Sequence, residues 1–245
     1  MSTPDVTDGP QATPPEDPAW LHHREVFARV YDDANYHSPL QSFLMRASHR
    51  MTERAVPAEA TYPRVIEIGA GTGEHFAHVR HRFDEYVLTD LDPTTLALAR
   101  QKIPAPATGQ VRFETVPAGA LPYPDNSFDR LIATHVLEHI YQPHLALKEW
   151  SRVVRKGGLL SILIPTDPGL AWRLGRHFGP RRNALRQGIA YDYVMAREHV
   201  NPCNNLIALM RHYFPRRSEH WWPTPVPSMD LNLFHLYTAI NDKDD

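Results

Sequence analysis

"VIEIGAGTGEHF", residues Val65–Phe76, decides how this chain is read. A short apolar run ends in glycines at 69, 71 and 73. Glycines at a strand end let the backbone turn sharply and let a ligand come close. A dinucleotide fingerprint places its glycines first, third and sixth. Here they stand first, third and fifth, and the sixth place is Glu74, whose charge suits a pyrophosphate poorly. No Gly-Lys-Ser/Thr follows, so the stretch is not a nucleoside-triphosphate phosphate loop either. Glu67, two residues before Gly69, adds an acid at the strand end. That favours a ligand with positive charge, such as an α-amino group or a sulfonium.

Outward from this stretch, short apolar runs alternate with amphipathic segments. "RVIEI" (64–68), "YVLTD" (86–90), "VRFET" (111–115), "DRLIAT" (129–134) and "LLSILI" (159–164) read as strands. Gly73–Arg82, the "PTTLALARQK" that Asp92-Pro93 opens, and "PHLALKEWSRVV" (143–154) read as helices, the last stopped by Gly157-Gly158. Such βαβ alternation predicts a mostly parallel sheet with helices on both faces. "LNLFHLYTAI" (231–240) reads as a final strand, and two helices joined by "ANYH" precede the core.

Glu67 to Gly73, Glu-x-Gly-x-Gly-x-Gly, resembles the first motif of the class I S-adenosylmethionine (SAM)-dependent methyltransferases. "VLTDLDPTTLALAR", "LPYPDNSFDRLIATHVLEHI" and "LKEWSRVVRKGGLLSILIP" resemble the blocks that follow it in that family, in the same order, over about residues 62–166. The resemblance implies a Rossmann-like α/β fold: a seven-stranded, mostly parallel sheet with an antiparallel last strand, N-terminal helices, and an α-helical lid inserted after the fifth strand. It implies SAM as cofactor and S-adenosylhomocysteine as product; the sequence contains no metal triad, so no metal is expected. Gly69, Ala70, Gly71, Thr72 and Gly73 then form the cofactor loop, with Glu67 beside it. Asp90 holds the ribose hydroxyls and Leu91 packs on the adenine edge. Strand-end acids also cap helices, which is the alternative role for Glu67 and Asp90.

One position departs from the family pattern. Many members carry Asp-Ala where this chain has Pro117 and Ala118. Proline offers neither a side-chain acceptor nor an N–H, so adenine is left to the Ala118 backbone and apolar packing. Tyr36, in the joint between the N-terminal helices, is a further candidate for the cofactor pocket, and Tyr31 a weaker one.

Methyl transfer mainly needs alignment, exclusion of water and, for a hydroxyl acceptor, removal of a proton. His135, just past the fourth strand, is the first candidate base and His199 the second; His135 can equally line the SAM pocket without a proton role. His139 and Glu138 are read as structural, with Glu138 facing solvent or capping. The Asn/Asp-Pro-Pro-Tyr/Phe of nucleic-acid N-methylation is absent: the place reads "ATHVLEHI".

Residues 166–217 carry nine arginines, no lysine and three acids, a local charge of +6 in a chain of net −2. Arginine's rigid fork suits carboxylates and phosphates. Arg173, Arg197 and His199 are the residues expected to touch an anionic acceptor, and the other arginines are expected to be structural. The expected division is a tail over 1–18, helices covering the cofactor site over 19–58, the SAM-binding core over 59–165, the arginine-rich lid over 166–217, and closing strands over 218–245.

With 42% hydrophobic residues, one cysteine (Cys203) and no 20-residue apolar run, the chain reads as cytoplasmic, with no disulfide, zinc cluster or membrane span. The expected function is methyl transfer to oxygen or nitrogen of a small, anionic metabolite. DNA is not an expected partner, and RNA is disfavoured. The alternatives are an RNA or protein methyltransferase docking through the arginines, and a non-catalytic partner protein of the same fold.

Overall fold

The computed structural model describes residues 17–23, 39–104 and 109–243. They build one seven-stranded sheet: β1 (Arg64–Ile68), β2 (Glu85–Asp90), β3 (Gln110–Thr115), β4 (Phe128–Thr134), β5 (Val154–Pro165), β6 (Arg217–Trp222) and β7 (Phe234–Ile240). The helices are α1 (Pro39–Arg54), α2 (Pro93–Lys102), α3 (Pro143–Val153), α4 (Leu170–Phe178), α5 (Pro180–Arg186), α6 (Tyr191–Glu198) and α7 (Cys203–Tyr213). Strand order is β3-β2-β1-β4-β5-β7-β6. The first five strands run parallel, and β7 is antiparallel to both neighbours. The order reverses between β1 and β4. That puts the ligand crevice at their carboxyl ends, where the glycine stretch and His135 lie.

The central strands are buried because both their faces are covered. Val65, Ile66, Ile68, Leu131, Ile132 and Ala133 are all at most 1% exposed. On one face Leu131, Ala133 and Ile162 pack with Leu147 and Trp150 of α3 and Leu206 and Met210 of α7. α2 starts where the sequence directs it: Pro93 is its first residue and the Asp92 carboxylate accepts the Thr94 N–H at 2.8 Å.

The other face of the sheet is polar at its centre. Arg130, fully buried on β4, donates to Glu53 of α1 at 2.8 Å and to Ser161 of β5 at 3.3 Å. Its guanidinium also sits 5.7 Å from the centre of the Tyr62 ring. His75 Nε2 lies 3.2 Å from the same Glu53 oxygen, and His75 Nδ1 lies 3.3 Å from His49 Nδ1. Glu67 shares this face, where its carboxylate accepts the Tyr86 hydroxyl at 2.6 Å. α1 is therefore held to β4 by charge, while its apolar residues Leu44 and Met51 pack on Leu163 of β5 and Phe234 and Leu236 of β7.

Four expectations need correction. No α-helix follows the glycines. Gly73 has φ +79°, outside the right-handed helical region, and the amides of Phe76, His78 and Val79 bond three residues back, leaving only a 3₁₀ turn at Phe76–His78. Gly157-Gly158 does not separate helix from strand. It lies inside β5, which starts at Val154 and shifts register against β4 between Phe128 and Arg130. The segment 166–217, where the sequence suggests helical pieces only near 168–177 and 203–213, holds four helices, and β6 follows it as the sheet edge, with Trp221 and Trp222 packed on His235 and Phe234 of β7. Glu138 neither caps a helix nor faces solvent: it is 2% exposed. The joint carrying Tyr31 and Tyr36 lies outside the described residues.

The buried titratable groups set a direction for stability against pH. Burial raises the Glu53 carboxyl, but His75 and Arg130 outweigh it and bring it down to about 2. That stabilisation is complete above the ordinary carboxylate value of 4.5 and is lost as pH falls toward 2. Burial holds His81 and His235 down to about 4 and His135 to about 3, against an ordinary 6.5. The unfolded chain takes up these protons first, so stability falls below pH 6.5 by up to about 1.4 kcal/mol per histidine per pH unit. The urea midpoint, followed by tryptophan fluorescence, is expected to drop steadily from pH 7 to 4.5. A flat profile from 7 to 5 would contradict the neutral buried histidines. Glu53→Ala, which strands the Arg130 charge, is expected to cost about 3–5 kcal/mol at pH 7.

Candidate active site

The glycine stretch forms a concave backbone at the end of β1. Gly69, Gly71 and Gly73 have φ of +65°, +53° and +79°, values that strain any residue with a Cβ. A Cβ on Gly69 would lie 2.4 Å from a Val136 methyl, and one on Gly73 would lie 2.6 Å from Ile103. Thr72, 3% exposed, has a hydroxyl with no partner. Asp90 at the end of β2 bonds back to the loop. One carboxylate oxygen accepts the Gly71 N–H at 2.8 Å and the other accepts the Asp92 N–H at 2.9 Å. Both oxygens keep lone pairs for further donors, so Asp90 is oriented before any ligand arrives. Leu91 beside it is 71% exposed, and Ala70 lines the loop interior at 7%.

This cradle fits SAM. The left-handed glycines leave space where side chains would stand, the Thr72 hydroxyl awaits a partner, and Asp90 offers acceptors suited to a pair of ribose hydroxyls. Two cofactor candidates are differently placed. Glu67 does not open onto the cradle: it is 1% exposed and bonded to Tyr86, and burial raises its carboxyl above the usual range. The Ala118 carbonyl already accepts the Trp150 indole N–H at 2.8 Å.

His135 follows β4 directly and has φ +58°, uncommon for a residue with a side chain. Its amide donates to Leu163 at 3.0 Å, which aims the ring toward α1. Ser48 Oγ lies 3.1 Å from His135 Nε2 and donates its own hydrogen to the Met45 carbonyl at 2.7 Å. Ser48 must therefore accept from His135, so Nε2 carries the imidazole proton and Nδ1 keeps its lone pair. Burial first, then His139 and His199, hold this imidazole down to about 3. It is neutral at pH 7, a ready hydrogen-bond acceptor and a weak base.

Glu138 is the residue the sequence reading passed over. One oxygen lies 3.9 Å from His135 Nδ1 and 3.8 Å from His139 Nε2; the other is buried with no partner. Burial raises its carboxyl above the usual range. His199 Nδ1 lies 3.0 Å from Asp167, and its ring meets His139 edge-on at 4.9 Å. Phe234 packs on His135 at 5.3 Å and on Trp172 at 6.1 Å, and Trp172 stacks on His199 at 6.3 Å. The structure thus brings His135, Glu138, His139 and His199 together under an aromatic wall. Val136, beside His135, touches the glycine loop at Gly69.

The arginines expected to hold an acceptor do not converge there. Arg197 lies 4.1 Å over the Trp20 ring and donates to Tyr193 at 3.0 Å, joining α6 to the helical segment over 18–23. Arg173 is exposed on α4. Two hollows among the described residues also lie elsewhere. One, about 570 Å³, is lined by Arg100 and Val111–Glu114 at the β3 edge. The other, about 420 Å³, lies between α1 and β6 beside Phe43, Arg50 and Trp222. Cys203 is 1% exposed and burial pushes its thiol up to about 12, consistent with a packing role.

A family profile described as "Methyltransferase domain" matches residues 66–162. Demethylmenaquinone methyltransferase of Deinococcus radiodurans is 34% identical over 188 residues, covering 72% of this chain and 76% of that one. The ubiquinone/menaquinone biosynthesis C-methyltransferase UbiE of Ectopseudomonas mendocina is 30% identical over 152 residues, covering 59% of this chain and 58% of its own length. Among solved structures, a chain from the complex between the Haloferax volcanii Trm112 methyltransferase activator and a methyltransferase superposes with a TM-score of 0.61. It covers 93% of this chain and 99% of its own at 13% identity, a likeness of fold.

The Asp90 geometry gives a direct test. Each lost hydrogen bond to a charged acceptor is worth about 1.5–3 kcal/mol, so Asp90→Ala is expected to weaken SAM binding by about 10- to 100-fold in calorimetry. Pro117→Asp restores a side-chain acceptor at the adenine position and is expected to tighten it; unchanged affinity would mean adenine does not reach residue 117.

Proposed function

Because the chain belongs to the class I SAM-dependent methyltransferases, we propose that it methylates a flat aromatic small molecule carrying an ionisable hydroxyl, on ring carbon or on that oxygen. The observation that carries this reading is the wall of Phe234, Trp172 and His199 around His135 and Glu138, next to the glycine loop. Aromatic faces at these spacings favour a planar ring. The names of the two relatives, a demethylmenaquinone methyltransferase and a quinone-pathway C-methyltransferase, point to the same acceptor class.

SAM, when bound, supplies an electrophilic methyl group. The remaining work falls to this chain. Asp90 and the glycine loop hold the donor, and the aromatic wall orients the acceptor ring and keeps water away. His135 Nδ1, with its lone pair fixed outward by Ser48, accepts the acceptor's hydroxyl hydrogen bond. Glu138 receives the proton: burial has raised its carboxyl toward the range where taking up a proton is favourable. For carbon methylation, loss of the hydroxyl proton to Glu138 enriches the neighbouring ring carbon in electrons; once the methyl has bonded there, the ring C–H proton passes to the ring oxygen, restoring the hydroxyl and the aromatic ring, and Glu138 gives its proton up to solvent. The α4–α7 insertion acts as the acceptor-side cover, and α1 as the support of His135. An anionic acceptor gripped by Arg173 and Arg197 has little geometric support, since Arg197 is already engaged.

The test is transfer of a labelled methyl group from SAM to a 2-unsubstituted 1,4-naphthalenediol, with the product's new bond assigned by NMR. A carbon- or oxygen-methylated product is expected. His135→Ala and Glu138→Gln should each lower kcat by about 100-fold or more while SAM affinity stays within a few-fold. Intact SAM binding with no transfer to any hydroxylated aromatic would remove this reading.

A further inference from the structure

Helix α4 is inverted relative to an ordinary surface helix. Leu170, Leu174 and Phe178, spaced four residues apart, share one face and are 53%, 49% and 68% exposed. Its inward face carries Trp172 and Arg176 instead. Arg176 donates to Asp167 at 3.0 Å and to the Tyr191 hydroxyl at 3.2 Å. A surface helix usually does the opposite. α5, which follows directly, adds Leu185 at 48% exposure.

The arginines of the insertion divide in two. Arg176, Arg181, Arg197, Arg211 and Arg217 are engaged with Asp167, Asp192, Tyr193 or Glu219. Arg173, Arg182, Arg186 and Arg216 are exposed, and no acidic partner is seen for them among the described residues. The first three stand on α4 and α5, beside the exposed leucines and Phe178, and Arg216 lies just before β6. An apolar stripe edged by unpaired arginines is the pattern of a helix lying in a lipid interface: the apolar side enters the acyl boundary and the arginines meet anionic headgroups. Charge complementarity selects the partner. The insertion carries +6 and the other residues together −8, so an anionic surface attracts this face and repels the rest. No described helix is long and apolar enough to cross a membrane.

We propose that α4 and α5 dock the protein on an anionic lipid surface. The stripe is a peripheral contact, and α4 leads directly from β5, placing the acceptor side of the site toward that surface. The proposal needs no particular acceptor, and its test contains none, so it stands or fails apart from the proposed chemistry.

Gly175→Cys supplies a reporter between Leu174 and Phe178, because a Cβ there meets nothing within 4 Å and Cys203, the only native cysteine, is buried. Its rate of reaction with a charged maleimide is read in the full-length protein, alone and with vesicles of phosphatidylcholine with or without phosphatidylglycerol. The expected result is fast labelling in solution, slowing by about tenfold or more on the anionic vesicles only, reversed by high salt. Adding Leu174→Gln, or Arg182→Gln with Arg186→Gln, should abolish the slowing; unchanged SAM affinity confirms that these variants are folded. Fast labelling on every vesicle overturns the proposal. So does slow labelling without vesicles: if it deepens with protein concentration, a second copy covers the face; if not, the chain's own residues 24–38 do. Slowing that survives the Leu174 and arginine variants also overturns it.

Discussion

Arg130 carries a full charge at the centre of a seven-stranded sheet, with no exposure to water. It is tolerable only because Glu53 reaches it from α1. That need fixes much of the rest. Glu53 must sit over the amino end of β4, so α1, which packs on β5 and β7, is seated where Ser48 meets His135 just past the carboxyl end of β4. His75 closes on the same carboxylate, which draws the segment after the glycines inward and keeps it from coiling into a helix. The buried charge does not by itself make the fold more stable than an apolar core would. It limits how α1 can be docked, since a slipped helix would strand the arginine.

The architecture was legible wherever periodicity and local chemistry agreed. The five parallel strands follow from apolar runs such as "RVIEI" and "DRLIAT", and α2 from the Asp92-Pro93 start. The failures have a common cause in long-range contacts. "GEHFAHVRHR" has helical composition, but its histidines and Phe76 are claimed by Glu53, His49 and Tyr86, which no local window contains. β6 was hidden because "RSEHWW" lacks clean alternation; its partner β7 and the Glu219 contacts to Arg211, Arg217 and His235 make it a strand.

The site shows the same split. The places of the glycines, Asp90 and His135 at strand ends could be found from spacing, because a backbone cradle and a strand end are local. The burial of Glu138, with one carboxylate oxygen left without a partner, could not, since burial is a property of the fold. Arg197 was chosen for its charge, yet Trp20, 177 residues earlier, takes up that charge. A residue's chemistry is readable from sequence; whether that chemistry is already spent on a neighbour is not.

The Ser48 contact ties the imidazole's proton to the seating of a helix. Ser48 lies one and a half turns from Glu53 on α1, so the ion pair at one end of β4 decides which ring nitrogen is bare at the other. Were α1 to lift, His135 would lose the acceptor that selects its tautomer, and either nitrogen could then hold the hydrogen. Seating α1 against the sheet and selecting the His135 tautomer are therefore a single event.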